Sequence, residues 1–163
     1  MIYFASDFHL GIPDHGRSLR RERLLVDWLN KIAIDATEIY LVGDLFDYWF
    51  EYRTVVPKGF VRLLGKLAEL SDRGIKIHIF SGNHDVWMFD YFTKELGAAV
   101  FHEPIIRQFG TKNIYIAHGD GLGPGDHGYK FIKYIFRNKV CQWLYKKVHP
   151  DFADRVARFF SGA

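Results

Sequence analysis

The sequence predicts an α/β chain that turns into mixed α+β: strands separated by helices first, a hairpin later, and a helical segment last. Three observations lead there. Runs rich in β-formers at residues 1–6, 38–42, 75–81 and 113–117 each deliver a carboxylate, amide or imidazole just past their last residue. Between the first three runs, apolar residues recur with the helical period. Residues 110–113, Gly-Thr-Lys-Asn, separate two β-like runs as the turn of an antiparallel hairpin.

Taken in order, Ile2 to Ala5 read as a buried strand, and Asp7-Phe8-His9 follows with one residue between two side chains that can point the same way. A loop through Gly11, Pro13, Asp14 and Gly16 leads to a helix that Ser18 is placed to cap, with Leu24, Leu25, Trp28, Leu29 and Ile32 inward. Residues 38–42 form the second strand, with Gly43 allowing close approach behind Asp44. Tyr48, Trp49, Phe50 and Tyr52 cluster on the next loop, either as a satellite core or as a wall for an apolar or ring-bearing substrate. Pro57 suits the first turn of a helix carrying Phe60, Leu63, Leu64, Leu67 and Leu70, and Gly74 its stop. Ile75, Ile77 and Ile79 alternate with Lys76 and His78, which places His78 on the less buried face. A short helix spans 87–96 and closes at Gly97; residues 105–109 and 113–117 make the hairpin. From Tyr129, apolar residues at spacings of three and four predict a helix, and Pro150 opens a second one with Phe152, Val156, Phe159 and Phe160.

At 163 residues and 48% apolar content the chain has room for one packed domain. No apolar run reaches the roughly 18 residues that span a bilayer, and no charged segment leads an apolar one at the start, so a cytoplasmic protein is expected. The lone Cys141 reads as a core residue. The net charge of +3 is uneven: residues 129–160 hold eight basic and two acidic side chains, net +6, leaving −3 elsewhere. A basic, aromatic-rich segment on a mildly acidic body suits an anionic partner, nucleic acid or phospholipid.

Four strand ends can pool their side chains in one crevice, since ligands in open α/β sheets sit beyond the carboxyl ends of strands. Asp7, His9, Asp44, Asn83 and His118 form an oxygen and nitrogen set without thiolate, suited to Mn, Mg, Fe or Zn. Asp44, leaving the middle strand, is the candidate to bridge two ions, which would activate water and stabilise charge on a phosphoryl group. His84 is placed to protonate a leaving oxygen with Asp85 orienting it, while Asp47 and Asp120 hold the ligands in orientation.

With Asp7-x-His9, Gly43-Asp44-x-x-Asp47, Gly82-Asn83-His84-Asp85 and His118-Gly119 in this order, the chain resembles the calcineurin-like metallophosphoesterases. That resemblance, over residues 1 to about 120, implies a four-layer αββα sandwich with a dinuclear site: Asp7 and His9 on one ion, Asn83 and His118 on the other, Asp44 between them. His118-Gly119-Asp120-Gly121-Leu122 and Asp126-His127-Gly128-Tyr129, running into the basic helices, resemble the UDP-2,3-diacylglucosamine diphosphatase family of lipid A synthesis. This implies a metallophosphoesterase core at 1–128 and a helical cap insertion at 129–163 that houses acyl chains and docks on the inner membrane. It also implies Mn²⁺ as cofactor, UDP-2,3-diacylglucosamine as substrate, and Asn83, Asp126 and Tyr129 as its contacts, with no nucleic-acid partner. Many members of that family have arginine where this chain has His84, and the superfamily's last motif, Gly-His-x-His, is absent. The expectation is therefore a sandwich truncated at its C-terminus, or an incomplete site. The rival readings are a phosphodiesterase acting on nucleic acid or cyclic nucleotide, and a non-catalytic scaffold that binds a partner protein through its apolar helices.

Overall fold

The computed structural model describes residues 1–120 and 134–161. Strands β1 (Ile2–Ala5), β2 (Glu38–Val42), β3 (Lys76–Phe80) and β4 (Ala99–Phe101) lie side by side in chain order, all parallel. Helices α1 (His15–Ile32), α2 (Val61–Asp72) and α3 (Tyr91–Leu96) lie in the connections between them. Strands β5 (Ile105–Phe109) and β6 (Lys112–Ile116) then form a separate antiparallel hairpin, followed by helices α4 (Lys139–Tyr145) and α5 (Pro150–Ser161). This is the mixed α/β architecture expected. Among the described residues the second sheet of the expected sandwich consists of the β5–β6 pair.

Period-two alternation sends the strand side chains to two cores. Ile39, Leu41, Ile77 and Ile79 pack with Leu25, Leu29, Leu63 and Leu67 from the helices. Tyr40, Phe80 and Ile116 form the second cluster, joined by Ile105 and Phe109 of the hairpin. His78 therefore departs from expectation: the hairpin side of the sheet is covered, and His78 is only 6% exposed. Its Nε2 lies 2.9 Å from Glu38 Oε2, which also accepts from the Tyr40 hydroxyl at 2.9 Å, and Tyr40 stacks on its ring at 4.2 Å. Burial lowers the pKa of His78 against the pull of Glu38. Burial alone would raise Glu38, but hydrogen bonds from Tyr40 and His78 take it below its usual value.

Several helix boundaries differ from the sequence reading, each because a carboxylate takes the helix-start donors, a local one at α1 and distant ones at α2 and α3. Ser18 is not the cap of α1: Asp14 takes that role, accepting from the Arg17 N–H at 2.8 Å, and Ser18 Oγ instead accepts from the Gly11 N–H at 2.8 Å. Helix α2 starts at Val61, beyond Pro57 and Phe60, because Glu22 of α1 accepts from the N–H groups of Arg62 and Leu63 at 2.9 and 3.1 Å. Helix α3 is shorter than the predicted 87–96, because Glu51 binds the N–H groups of Phe89, Asp90 and Tyr91 at 2.7, 2.7 and 3.1 Å. Strand β1 is an edge, with Phe4 45% exposed, and Leu24 faces outward on α1. The hairpin pairs Phe109 with Lys112, so its turn is the two residues Gly110-Thr111. The aromatic loop divides: Trp49 and Phe50 are fully buried, with Trp49 stacked on Phe46 at 4.4 Å, while half-buried Tyr48 and Tyr52 line an adjacent cavity.

Two expectations concern stability. Glu51 is 2% exposed and binds three backbone donors, so Glu51→Ala strands them and destabilises the fold by about 3 kcal/mol or more in urea unfolding, with Glu51→Gln milder. Below the ordinary His78 value of 6.5 the unfolded chain takes up a proton that the folded chain resists, so stability falls as pH drops through that window. Glu38, held low in the fold, adds stability above its ordinary 4.5 that is lost at more acid pH, in the same direction. The stability difference between wild type and His78→Gln, measured by urea unfolding at about pH 7.5 and about pH 5.5, should shrink at the lower pH.

Candidate metal centre

The carboxyl ends of β1, β2 and β3 share one edge of the sheet, and the chain leaves each through a tight turn. Backbone pairing continues past β1 and β2: the Asp7 N–H donates to the Gly43 carbonyl at 3.2 Å, and His9 to the Asp44 carbonyl at 3.0 Å. Three residues in these turns, Asp7, His9 and Asp44, hold left-handed backbone at φ 59°, 44° and 51°. Such positions cost about 1–3 kcal/mol each and persist where the surroundings enforce them. At Asp44 the enforcement comes from Asp85. Its fully buried carboxylate accepts from the N–H groups of Leu45 at 2.8 Å, Phe46 at 3.2 Å and Gly82 at 2.7 Å. Charge-assisted bonds of this kind contribute about 1.5–3 kcal/mol apiece, the same order as the strain. Burial nonetheless pushes the Asp85 carboxyl up to about 6.

Asp44, 3% exposed, is the hub. Its Oδ2 lies 3.4 Å from His118 Nε2 and 3.6 Å from His9 Nε2, and its Oδ1 accepts from the His84 N–H at 3.0 Å. Burial would raise Asp44, but hydrogen bonding to His118 and the His84 N–H leaves it lowered, and the bond to Asp44 pushes His118 up to about 9. The His118 Nδ1–H donates to the Val42 carbonyl at 3.0 Å, fixing the ring with Nε2 toward Asp44 and, at 3.3 Å, Asn83 Oδ1. The charge of Asp120 adds to the rise at His118.

Ligand atoms gather in two groups, Asp7, Asp44 and His118, and His9, Asp44 and His84, each within 4.8 Å of one another. Asp44 belongs to both. The grouping sets Asp7 beside His118, where the sequence resemblance pairs it with His9. The orienting role expected of Asp85 toward His84 falls instead to Asp47: Asp85 is committed to backbone donors, whereas His84 Nδ1 lies 3.2 Å from both Asp47 Oδ1 and the Asp47 carbonyl oxygen. The hydrogen bond to Asp47 raises the pKa of His84. Asp126 and Tyr129 lie outside the described residues.

The residues fit a divalent cation. His9 Nδ1 is buried without a hydrogen bond, and oxygen and imidazole donors converge on one carboxylate. Two glycines make the convergence possible. A Cβ on Gly43 would stand 2.3 Å from His118 Nδ1, and one on Gly82 would stand 2.1 Å from Asp44 Oδ1. The approach expected at Gly43 is thus made by an imidazole. The cradle at Gly82 was not foreseen, although a glycine directly before the motif asparagine was its signal.

The family model for calcineurin-like phosphoesterases matches residues 1–154. A UDP-2,3-diacylglucosamine hydrolase of Porphyromonas gingivalis is 51% identical over 157 residues, covering 96% of this chain and 60% of that protein. Proteins of the same name from Pseudomonas putida KT2440 and Pseudomonas fluorescens SBW25 are 28% and 31% identical, with 97% of this chain and 64% and 61% of theirs covered. The chain thus spans about 60% of the length of the curated relatives it matches.

Gly82→Ala should displace Asp44 and weaken Mn²⁺ binding by about 10–100-fold in calorimetric titration, the range seen when the supports of a ligand are lost. Unchanged affinity would mean that Asp44 holds no metal.

Proposed function

The chain belongs to the calcineurin-like phosphoesterase family, and we propose that it hydrolyses the pyrophosphate of UDP-2,3-diacylglucosamine to UMP and 2,3-diacylglucosamine 1-phosphate, a step of lipid A synthesis. The observation that carries this reading is Asp44, buried at the strand ends and shared by two groups of ligand atoms, in a chain half identical to a hydrolase of that name.

Asp7, His9, Asp44, Asn83 and His118 would hold two divalent ions, Mn²⁺ in this proposal. Bound there, the ions supply an acidified water and charge neutralisation for in-line displacement at phosphorus. Water adds to the phosphorus on the uridine side, the P–O bond to the bridging oxygen breaks, and the sugar 1-phosphate leaves. His84, whose pKa the hydrogen bond to Asp47 raises, is placed to donate to the departing oxygen. Asp47 and Asp120 steer the ligand side chains, Asp85 sets the turn that carries Asp44, and Asn83, Asp126 and Tyr129 contact substrate.

Residues 129–163 form the cap over the 1–128 core in this proposal. Its support is the way α4 and the preceding helical turn at 134–137 meet the core: the Trp87 Nε1–H donates to the Phe136 carbonyl at 2.9 Å, and Tyr145 packs on Trp87 and Phe50. Outward, Val140, Trp143, Leu144 and Phe152 are more than half exposed beside Lys139, Lys146 and Lys147. Apolar side chains among lysines suit the inner-membrane surface, where an amphipathic face sinks among anionic headgroups. No helix among the described residues is long and apolar enough to cross a membrane.

Mass-spectrometric detection of UMP from UDP-2,3-diacylglucosamine with Mn²⁺, lost on adding EDTA, tests the reaction. Asp44→Ala and Asn83→Ala should each lower turnover by about 100-fold or more, and turnover within a few-fold of wild type would sink the two-metal scheme.

A further inference from the structure

The left-handed backbone of His9 has a support of its own, separate from the Asp85 tie, on helix α1. The His9 N–H donates to the Asp44 carbonyl at 3.0 Å, and the His9 carbonyl accepts from Arg21 Nη2 at 2.7 Å. The same nitrogen donates to the Ile12 carbonyl. Between those two carbonyls, the Gly11 N–H donates to Ser18 Oγ at 2.8 Å. Ser18 and Arg21 stand three residues apart on α1 and so share one face of it, and the turn from His9 to Ile12 is tied along that face.

With the peptide groups on both sides of His9 anchored, its φ of 44° and the direction of its Cβ are set. The imidazole then points at two acids, with Nε2 3.6 Å from Asp44 Oδ2 and Nδ1 3.7 Å from Asp47 Oδ1, and stands edge-on to the His84 ring at 4.8 Å between centroids. Both nitrogen–oxygen distances are too long for hydrogen bonds, and His9 Nδ1 is buried without one. The ring is therefore aimed by its backbone, and the backbone is held by Arg21. The other group of ligand atoms has different anchors: the Asp7 N–H donates to the Gly43 carbonyl at 3.2 Å, and His118 Nδ1 to the Val42 carbonyl at 3.0 Å.

Stability alone does not account for Arg21. The side chain is half-buried, and its Nε is buried with no hydrogen-bond partner, a cost that an apolar residue at this place on α1 would avoid. What the guanidinium supplies is a donor in reach of two carbonyls at once, one of them the carbonyl of a candidate ligand.

Resting on the two-ion reaction proposed above, we infer that Arg21 is a positioning residue for His9, and that it supports one of the two ion sites and not the other. The shared carboxylate of Asp44 then joins two sites of unequal origin, one braced by α1 and one by the ends of β1, β2 and the hairpin. Loss of Arg21 frees the His9 ring while leaving Asp7, Asp44 and His118 as they stand.

Calorimetric titration of Mn²⁺, with electron paramagnetic resonance on the same samples, reads the sites separately, because two ions that share a carboxylate couple their spins and a lone ion does not. Wild type should take up two ions and give the coupled signal. Arg21→Gln should bind one ion as wild type does and the other about 10–100-fold more weakly, giving the uncoupled signal at concentrations that saturate wild type. His9→Ala should do the same, and the double variant should be no weaker than His9→Ala, since Arg21 acts through that one side chain. Arg21→Lys keeps the charge without the fork and should show the same selective loss in smaller measure; it carries the test if urea unfolding in EDTA shows Arg21→Gln to be unfolded. Two ions bound as in wild type, equal weakening of both, or effects of Arg21 and His9 that add would each overturn the inference and leave the reaction untouched. A single ion in wild type would refute the two-ion reaction, and the inference with it.

Discussion

The buried carboxylate of Asp85 ties the end of β3 to the turn after β2, and the geometry of the whole centre depends on that tie. By accepting from Leu45, Phe46 and Gly82 it holds Asp44 in left-handed backbone at the place where its two oxygens face different partners. His118 and the His84 amide then take opposite sides of one side chain. The position of Asp44 between the two groups of side chains follows from a turn that the peptide backbone would not adopt unaided.

Buried acids serve the same purpose elsewhere. Glu22 starts α2 from a neighbouring helix, and Glu51 starts α3 from the aromatic loop. Each bridges segments distant in sequence by using the exposed N–H groups at a helix start, where negative charge is favoured. The Glu51 tie joins the two loops that carry Asp44, Asp47 and His84, so the packing of Trp49 and Phe50 and the placement of those side chains are one problem.

The strands and the gathering of polar side chains at their ends were legible because they depend on local pattern: alternation, helical period, and polar residues at the ends of apolar runs. Asp44 as the shared carboxylate followed from its place after the middle of three strands. What was not legible depends on backbone donors far away in the chain. Sequence proximity suggested that Asp85 serves its neighbour His84, but the donors of residues 45 and 46 claim it, and Asp47 takes the imidazole. Ser18 resembled a helix cap, but Asp14, four residues earlier, caps α1 and leaves the hydroxyl for Gly11, so here the ambiguity lay between two neighbouring polar residues. His78 was read as the polar half of an alternation, and only the hairpin laid over that face buries it. The left-handed turns at Asp7, His9 and Asp44 have only a weak signal in residue type, since aspartate and histidine tolerate that backbone without requiring it.

The strand order β1-β2-β3-β4 repeats the order of the chain. Each strand therefore finds its partner already in place as it leaves the ribosome, and the parallel sheet can grow by addition at one edge without waiting for a later segment to insert. The centre cannot be completed on that schedule. Asp7, His9, Asp44 and Asn83 come with the first three strands, but His118 comes only after the hairpin, so the nascent chain has a finished helix-covered sheet before it has a closed ligand set. The group of side chains that includes His118 is thereby assembled only once the second core has formed, and a chain stalled before β6 presents an open, carboxylate-rich edge at the ends of its first three strands.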